Sequence, residues 1–351
     1  MTMFLIHQSV EKIKNFYRMA KFLISLIFNY YYDFQRFFKF SATIRPFETK
    51  NMLQGRVIAH YHVIEKGLSL KYPKPAFGSK TVKNLLGLLQ RYQANYGLDE
   101  VSQVSLNVLF AYYEFNLKKY KIDNQELYNE LIFLKEKFGF GDCVSNNNEG
   151  GVTLISKNEI QKSANINFID FVNSRYSIRN FSPDEIDIEL IKKAVSIAIK
   201  TPSVCNRQTW KVYVYSDNNI KTELLSHQNG NRGFGESANK LLIITSDLNY
   251  FTGTAERNQC FIDGGLFSMS LVYALHSLGL GTCCLNWSVC YQNDKLLRKN
   301  SGIKDSETVI MMLAVGNLPD ELFVANSARK KVEDVLVFNN QREKFYETAA
   351  N

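Results

Sequence analysis

The stretch SRYSIRNFSP at residues 174–183 places Arg175, Ser177 and Arg179 at every second position. In an extended segment these three side chains project to one side, making it cationic and rich in donors. Guanidinium groups bind phosphate bidentately, so an anionic ligand such as a phosphate would gain most from this stripe. A solvated loop leading into a helix is the plain alternative. A second stretch, TPSVCNRQTW at 201–210, offers Ser203, Asn206 and Gln208 beside Pro202. These short polar side chains can each donate and accept. A third, LGLGTCCLNW at 278–287, has two glycines that permit a tight turn and a close backbone approach to a flat group. A fourth, NSARKKVEDVL at 326–336, supplies Arg329 as a second cationic point.

Other reactive residues point elsewhere only weakly. His60, His62 and Glu65 could ligate a metal, but His-x-His without further ligands is a poor signal, and no metal is expected. The six cysteines (Cys143, Cys205, Cys260, Cys283, Cys284 and Cys290) include no C-x-x-C pair. Reduced, mostly buried thiols fit best. No G-x-G-x-x-G follows a strand, so no separate dinucleotide domain is expected.

The elements that must hold these stretches can be read from periodicity. Apolar residues recur three and four apart in 79–97, 101–121 and 124–141, so the first 140 residues are predicted mostly helical, with Asn124 as a cap and Gly139 near a stop. Residues 143–165, rich in Asn and Gly, read as a linker. Beyond it, 168–175 is predicted as a short helix. The run from Ser182 reads as a helix with Ser182 as N-cap and Pro183 in its first turn. WKVYVYSD, KLLIITSD and ETVIMMLAVGN read as strands. DGGLFSMSLVYALHSLGLG is an apolar helix nearly all round, ending at Gly279 and buried in a core or at a subunit interface. Alternating strands and helices make this half an α/β or α+β domain.

Charge is uneven. The 351 residues carry a net charge of +8, yet residues 1–91 hold fifteen Lys/Arg against four Asp/Glu. That excess suits an anionic surface, membrane or nucleic acid, or simple solubility. The start lacks the order of a signal peptide. The apolar run Phe22 to Phe28 is too short to span a bilayer. Aromatic and basic residues mixed over 21–40 suit a membrane interface, and equally an amphipathic helix packed on its own protein. No nucleic-acid-binding motif accompanies the basic region, so nucleic acid is not expected.

Residues of about 168–338 resemble the nitroreductase family, flavin-dependent oxidoreductases that bind FMN between two subunits. The opening motif Arg-x-Ser-x-Arg/Lys followed by an aromatic is here Arg175 to Phe181. The motif Pro-Ser-x-x-Asn-x-Gln-Pro-Trp is here Pro202 to Trp210, with Thr209 in place of the usual proline. Gly-Leu-Gly-Thr-Cys after a long helix is Gly279 to Cys283, and a late Val315-Gly316 strand end with a following Arg329 completes the set. The resemblance implies an α+β fold, a three-layer α/β/α sandwich with a mixed, mainly antiparallel sheet. It divides the chain into a basic helical region 1–142, a linker 143–166 and an FMN-binding domain 167–351.

By resemblance, Arg175, Ser177, Arg179, Pro202, Ser203, Asn206, Gln208 and Arg329 hold FMN. Arg179 lies at the N1/O2 edge, and the backbone of Cys284, Leu285 and Asn286 approaches N5. Asn231 or Arg232 is a further ribityl or phosphate contact. The implied activity is hydride transfer from NADH or NADPH to the flavin and onward to a small-molecule acceptor, with no catalytic side chain required because the cofactor carries the chemistry. A homodimer is implied, with residues 263–278 as its interface. The other reading is a non-enzymatic FMN-binding or scaffold protein in a membrane-associated biosynthetic assembly. The expected location is the cytoplasm, with residues 1–50 available for peripheral contact on the inner face of the membrane.

Overall fold

A computed structural model describes residues 2–42, 48–70, 73–139, 150–152, 154, 166–322, 324 and 331–337. The long helix α1 (Thr2–Phe40) comes first. It is followed by α2 (Lys50–Leu68), α3 (Ser79–Tyr96), α4 (Glu100–Tyr120) and α5 (Gln125–Lys137). Their interlocking apolar faces, with Leu53, Ile64, Leu89, Leu109 and Leu131 fully buried, form one core. Asn124 caps α5 by accepting from the Leu127 N–H, as its position in the sequence predicts. Most of the 143–166 linker lies outside the described residues.

The second half is built on four strands: β1 (Trp210–Tyr215), β2 (Lys240–Asp247), β3 (Leu280–Leu285) and β4 (Glu307–Asn317). Their order is β1-β2-β4-β3 and every pairing is antiparallel. Among the described residues the one parallel element is an isolated bridge from Ser177 to Thr282. Every residue of β2 is buried, because helices cover both faces. On one face Leu241, Ile243, Met312 and Ala314 pack with Leu224 and Leu225 of α8 (Asn218–Ser226) and Leu297 of α10 (Tyr291–Ser301). On the other, Leu242, Ile244, Leu313 and Val315 pack with α7 (Ile188–Ala198) and α9 (Gln259–Ser277). The architecture is therefore the expected three-layer α/β/α sandwich, preceded by the helical region.

Two local readings are corrected. The helix expected from Ser182 begins at Ile188, capped by Asp187, whose side chain accepts from the Glu189 N–H. Ser182 instead turns toward Asp184, and the Ile186 N–H is drawn to the Asn239 side chain, so burial of Ile186 keeps 183–187 out of the helix. Residues 280–285, read as part of a glycine turn, form the edge strand β3. Pairing with β4 on one side and the Ile178 N–H on the other overrides the weak strand propensity of LGTCCL.

Candidate flavin site

The short helix α6 (Phe168–Asn173), capped by Asn167, ends at Ser174 and delivers the chain to the outer edge of β3. There Ile178 donates its N–H to the Thr282 carbonyl at 2.8 Å, and Ser182 donates to the Asn317 carbonyl at 2.9 Å. Ile178 faces the core, which turns Arg175, Ser177 and Arg179 to the opposite side of the extended segment. Phe181 then lies directly over Gly316, where a Cβ would meet its ring at 2.5 Å, so glycine at the end of β4 is what lets this segment close on the sheet.

The two guanidiniums frame the edge of β3. Arg179 lies 5.8 Å over the Phe234 ring. Desolvation raises the Cys283 thiol, with the Arg179 charge opposing it. Desolvation likewise raises the Cys284 thiol, with the Arg175 charge opposing it. Desolvation lowers the imidazole of His276, at the end of α9, and the same Arg175 charge pushes it further down. Because Thr282 turns its carbonyl outward, the two-residue period of the strand turns the backbone of Cys284 to the same open edge. Cys284 and Asn286 are exposed, while Leu285 is in the core.

The second group surrounds the loop before β1. Cys205, Asn206 and Gln208 all have left-handed φ values, of 51°, 52° and 48°. Three such non-glycine residues in four positions are costly and must be held by their surroundings. The holding residue is Arg207, which sequence reasoning passed over as a variable position. Its side chain is fully buried and grips Glu256 bidentately at 2.5 and 3.1 Å. It also donates to the carbonyls of Val204 and Tyr250. Ser203 accepts from the Gln208 N–H, and Asp263 on α9 accepts from the Val204 N–H. Thr209, where a proline is usual, bonds Ser246 through its hydroxyl at 2.7 Å, a contact proline cannot make. Pro202 and Gln208 are exposed and Ser203 and Asn206 half-buried, so the loop presents its polar atoms outward.

The two groups stand at opposite ends of α9. The loop is tied to Asp263 near its start, while Ser174, just before Arg175, meets His276 near its end at 2.9 Å. Thirteen residues of helix separate these contacts, about 20 Å along the axis. Along this helix Phe261 and Ile262 in the first turn and Leu266 and Met269 in the middle are exposed.

The remaining expected site residues are placed as follows. Asn231 spends its amide N–H groups on Leu225, Gln228 and the Gln228 side chain, closing its own loop. Gln228 in turn donates to the Asn286 carbonyl, linking that loop to the end of β3. Arg329 lies outside the described residues. His62 bonds Glu65 and His60 bonds the Arg56 carbonyl, and no group of three metal-ligating residues occurs among the described residues. Cys205, Cys260, Cys283, Cys284 and Cys290 are free thiols. Cys284 and Cys290 are exposed, against the expectation of burial, because each sits where its element meets the open edge or starts a helix.

The residues present suit a flat anionic cofactor. Among the described residues neither Arg175 nor Arg179 has an acidic partner, and both flank an open strand edge. Residues 172–230 match the model of the nitroreductase family, a span that includes both motif groups. Among solved structures, an FMN-dependent nitroreductase from Clostridium difficile R20291 is similar, at 22% identity over 49% of this chain and 99% of its own, with a TM-score of 0.42. A nitroreductase family protein from Streptococcus pneumoniae TIGR4 is similar at 20% identity, 49% and 99% coverage and a TM-score of 0.42. A nitroreductase-like protein from Streptococcus mutans is similar at 20% identity, 49% and 97% coverage and a TM-score of 0.42. No curated protein matches the chain.

Proposed function

We propose that this chain is a flavin-dependent oxidoreductase of the nitroreductase type, holding FMN between two copies of itself. The observation that carries the reading is the placement of the two polar groups at opposite ends of a helix that exposes apolar residues in its first half. A two-fold axis across that helix sets the start of one copy's α9 beside the end of the other's. The cationic edge of one subunit then meets the polar loop of its partner, and Phe261, Ile262, Leu266 and Met269 are buried against their own copies.

When bound, FMN supplies the two-electron chemistry, accepting hydride from NADH or NADPH and passing electrons to a small-molecule acceptor. Arg175 binds the phosphate or ribityl chain, and Arg179 offsets negative charge on the ring. Ser177, Ser203, Asn206 and Gln208 orient the cofactor through hydroxyl and amide groups. The outward backbone at Cys284–Asn286 provides a flat approach along the strand edge. No side chain has to move a proton in this scheme.

The test is the visible spectrum of the purified protein, followed by anaerobic NADPH and then NADH. A yellow protein that bleaches supports the reading. A yellow protein that stays oxidised with both points to a flavin-binding protein without this activity. A protein that stays colourless after incubation with FMN refutes it.

A further inference from the structure

Helix α1 is seated on the body by polar residues between Asn29 and Arg36 and by Phe37 and Phe40 in its last turn. Asn29 accepts from the Tyr291 N–H at 2.7 Å, Tyr32 donates to Asp294 at 2.8 Å, and Arg36 donates to the carbonyls of Asp305 and Glu307. At about 100° per residue, Asn29, Tyr32 and Arg36 fall on one side. The opposite side carries Ile13, Phe16, Leu23, Ile27, Tyr30 and Phe34, exposed by 54–69%. A helix packed for its own stability would have the reverse orientation. From Lys12 to Phe28 every residue except Ala20 is exposed, and an isolated helical stretch of that length is marginal in water.

We propose that the outward face of α1 lies in the surface of an anionic membrane. Between Phe22 and Tyr31 only Ser25 and Asn29 are not apolar or aromatic, so apolar groups cover about two-thirds of the circumference. One partner helix would cover a narrower stripe and leave Phe22, Leu26 or Phe28 in water, whereas a bilayer surface covers a broad face. The abundance of Phe and Tyr matches the chemistry of the lipid interface. Charge is complementary: Lys12, Lys14, Arg18 and Lys21 precede the apolar stretch, against Glu11 alone before Asp33. At the root of the helix, a cavity of about 390 Å³ adds Arg36, Lys39 and Lys295 against Asp305. No helix among the described residues is long and apolar enough to cross a membrane, so the contact is with one leaflet.

The test is flotation of the full chain with phosphatidylglycerol/phosphatidylethanolamine vesicles and with phosphatidylcholine vesicles. The wild type is expected to float with the anionic vesicles and to be released by salt. Reversing Lys14, Arg18 and Lys21 to Glu should weaken binding about a hundredfold or more, each basic residue at such a surface being worth roughly fivefold. The pair Leu23→Asp/Ile27→Asp should abolish flotation while the circular-dichroism melt of the body is unchanged. A wild type that stays in solution with both vesicle types overturns the proposal. So does a wild type that ignores vesicles but falls to a smaller species by light scattering when Leu23 and Ile27 are replaced, because a second copy then covers the face. None of these readouts depends on flavin.

Discussion

Replacing Arg207 with Met tests whether the loop before β1 is held from below by a buried ion pair. Met keeps most of the volume of the side chain but removes both bonds to Glu256 and those to the Val204 and Tyr250 carbonyls. Breaking a buried pair by deleting one partner costs about 3–5 kcal/mol, since the other charge is left uncompensated. Glu256 keeps the Thr252 N–H at 2.7 Å and its side chain is 23% exposed, so the lower end, about 3 kcal/mol, is expected at pH 7. Urea unfolding followed by far-UV circular dichroism reads this directly.

The pH dependence gives a second constraint. Burial pushes the Glu256 carboxyl up, but the bonds from Arg207 and Thr252 outweigh it and hold the group below its ordinary value. A carboxyl depressed on folding stabilises the protein above its unfolded pKa and loses that contribution as pH falls through the folded pKa. Arg207→Met removes the main depressing partner, so the gap between variant and wild type should narrow toward acid. Adding Glu256→Gln should recover part of the loss at pH 7 by removing the stranded charge. An Arg207→Met protein within about 1 kcal/mol of wild type, or a deficit that widens as pH falls, would refute this account of the loop.

Arg179→Ala should weaken FMN binding by about tenfold or more in a fluorescence titration, with little change in melting temperature, because the side chain is exposed and has no acidic partner among the described residues. If two copies pair across α9 as proposed, Phe261→Asp with Leu266→Asp should lower the mass seen by light scattering to that of a monomer and lower FMN content with it. Gly316→Val should destabilise the fold by about 1–3 kcal/mol, since its side chain would enter the Phe181 ring. Gly55→Ala, in the helical region, should lower both melting temperature and FMN affinity, because the added Cβ would lie 2.9 Å from the Tyr250 backbone beside the Arg207 anchor.

Much of the sandwich could be read from the sequence, and the reasons differ by element. β2 and β4 are continuous apolar runs because helices cover both faces, and such runs are recognisable. β3 was not, because LGTCCL has small residues and a glycine, and its strand geometry comes from partners on either side. The alternation of Arg175, Ser177 and Arg179 survived as a physical arrangement, since an extended segment beside an edge strand keeps a two-residue period. Arg207 did not stand out, because an arginine in a polar loop gives no sign of burial. Its partner Glu256 is 49 residues further on, and only the fold joins them. The loop-closing role of Asn231 was not legible, because an amide in a Gly-rich loop carries no sequence sign of which bonds it makes within its own loop.

The helical region also enters the site, which its sequence did not suggest. Phe37 and Phe40 of α1 pack against the cluster of Leu248, Phe251 and Cys260, against which Val204 of the polar loop also packs, so the end of α1 meets the segment that carries the Tyr250 acceptor of Arg207. Ala42 donates its N–H to the Phe251 carbonyl at 2.7 Å, and Asn51 of α2 donates to Asp247 at 3.0 Å. α2 packs against the turns Val204–Asn206 and Leu248–Tyr250. The strained residues 205–208 are thus held by a buried cation beneath and by helices outside. A loop held on two sides can keep left-handed residues that a free loop would relax. The same α1 whose last turn packs on Leu248 and Phe251 turns its apolar face away from the body. Any surface that captures α1 therefore acts on an element that packs against Phe251, beside the Tyr250 carbonyl that anchors Arg207.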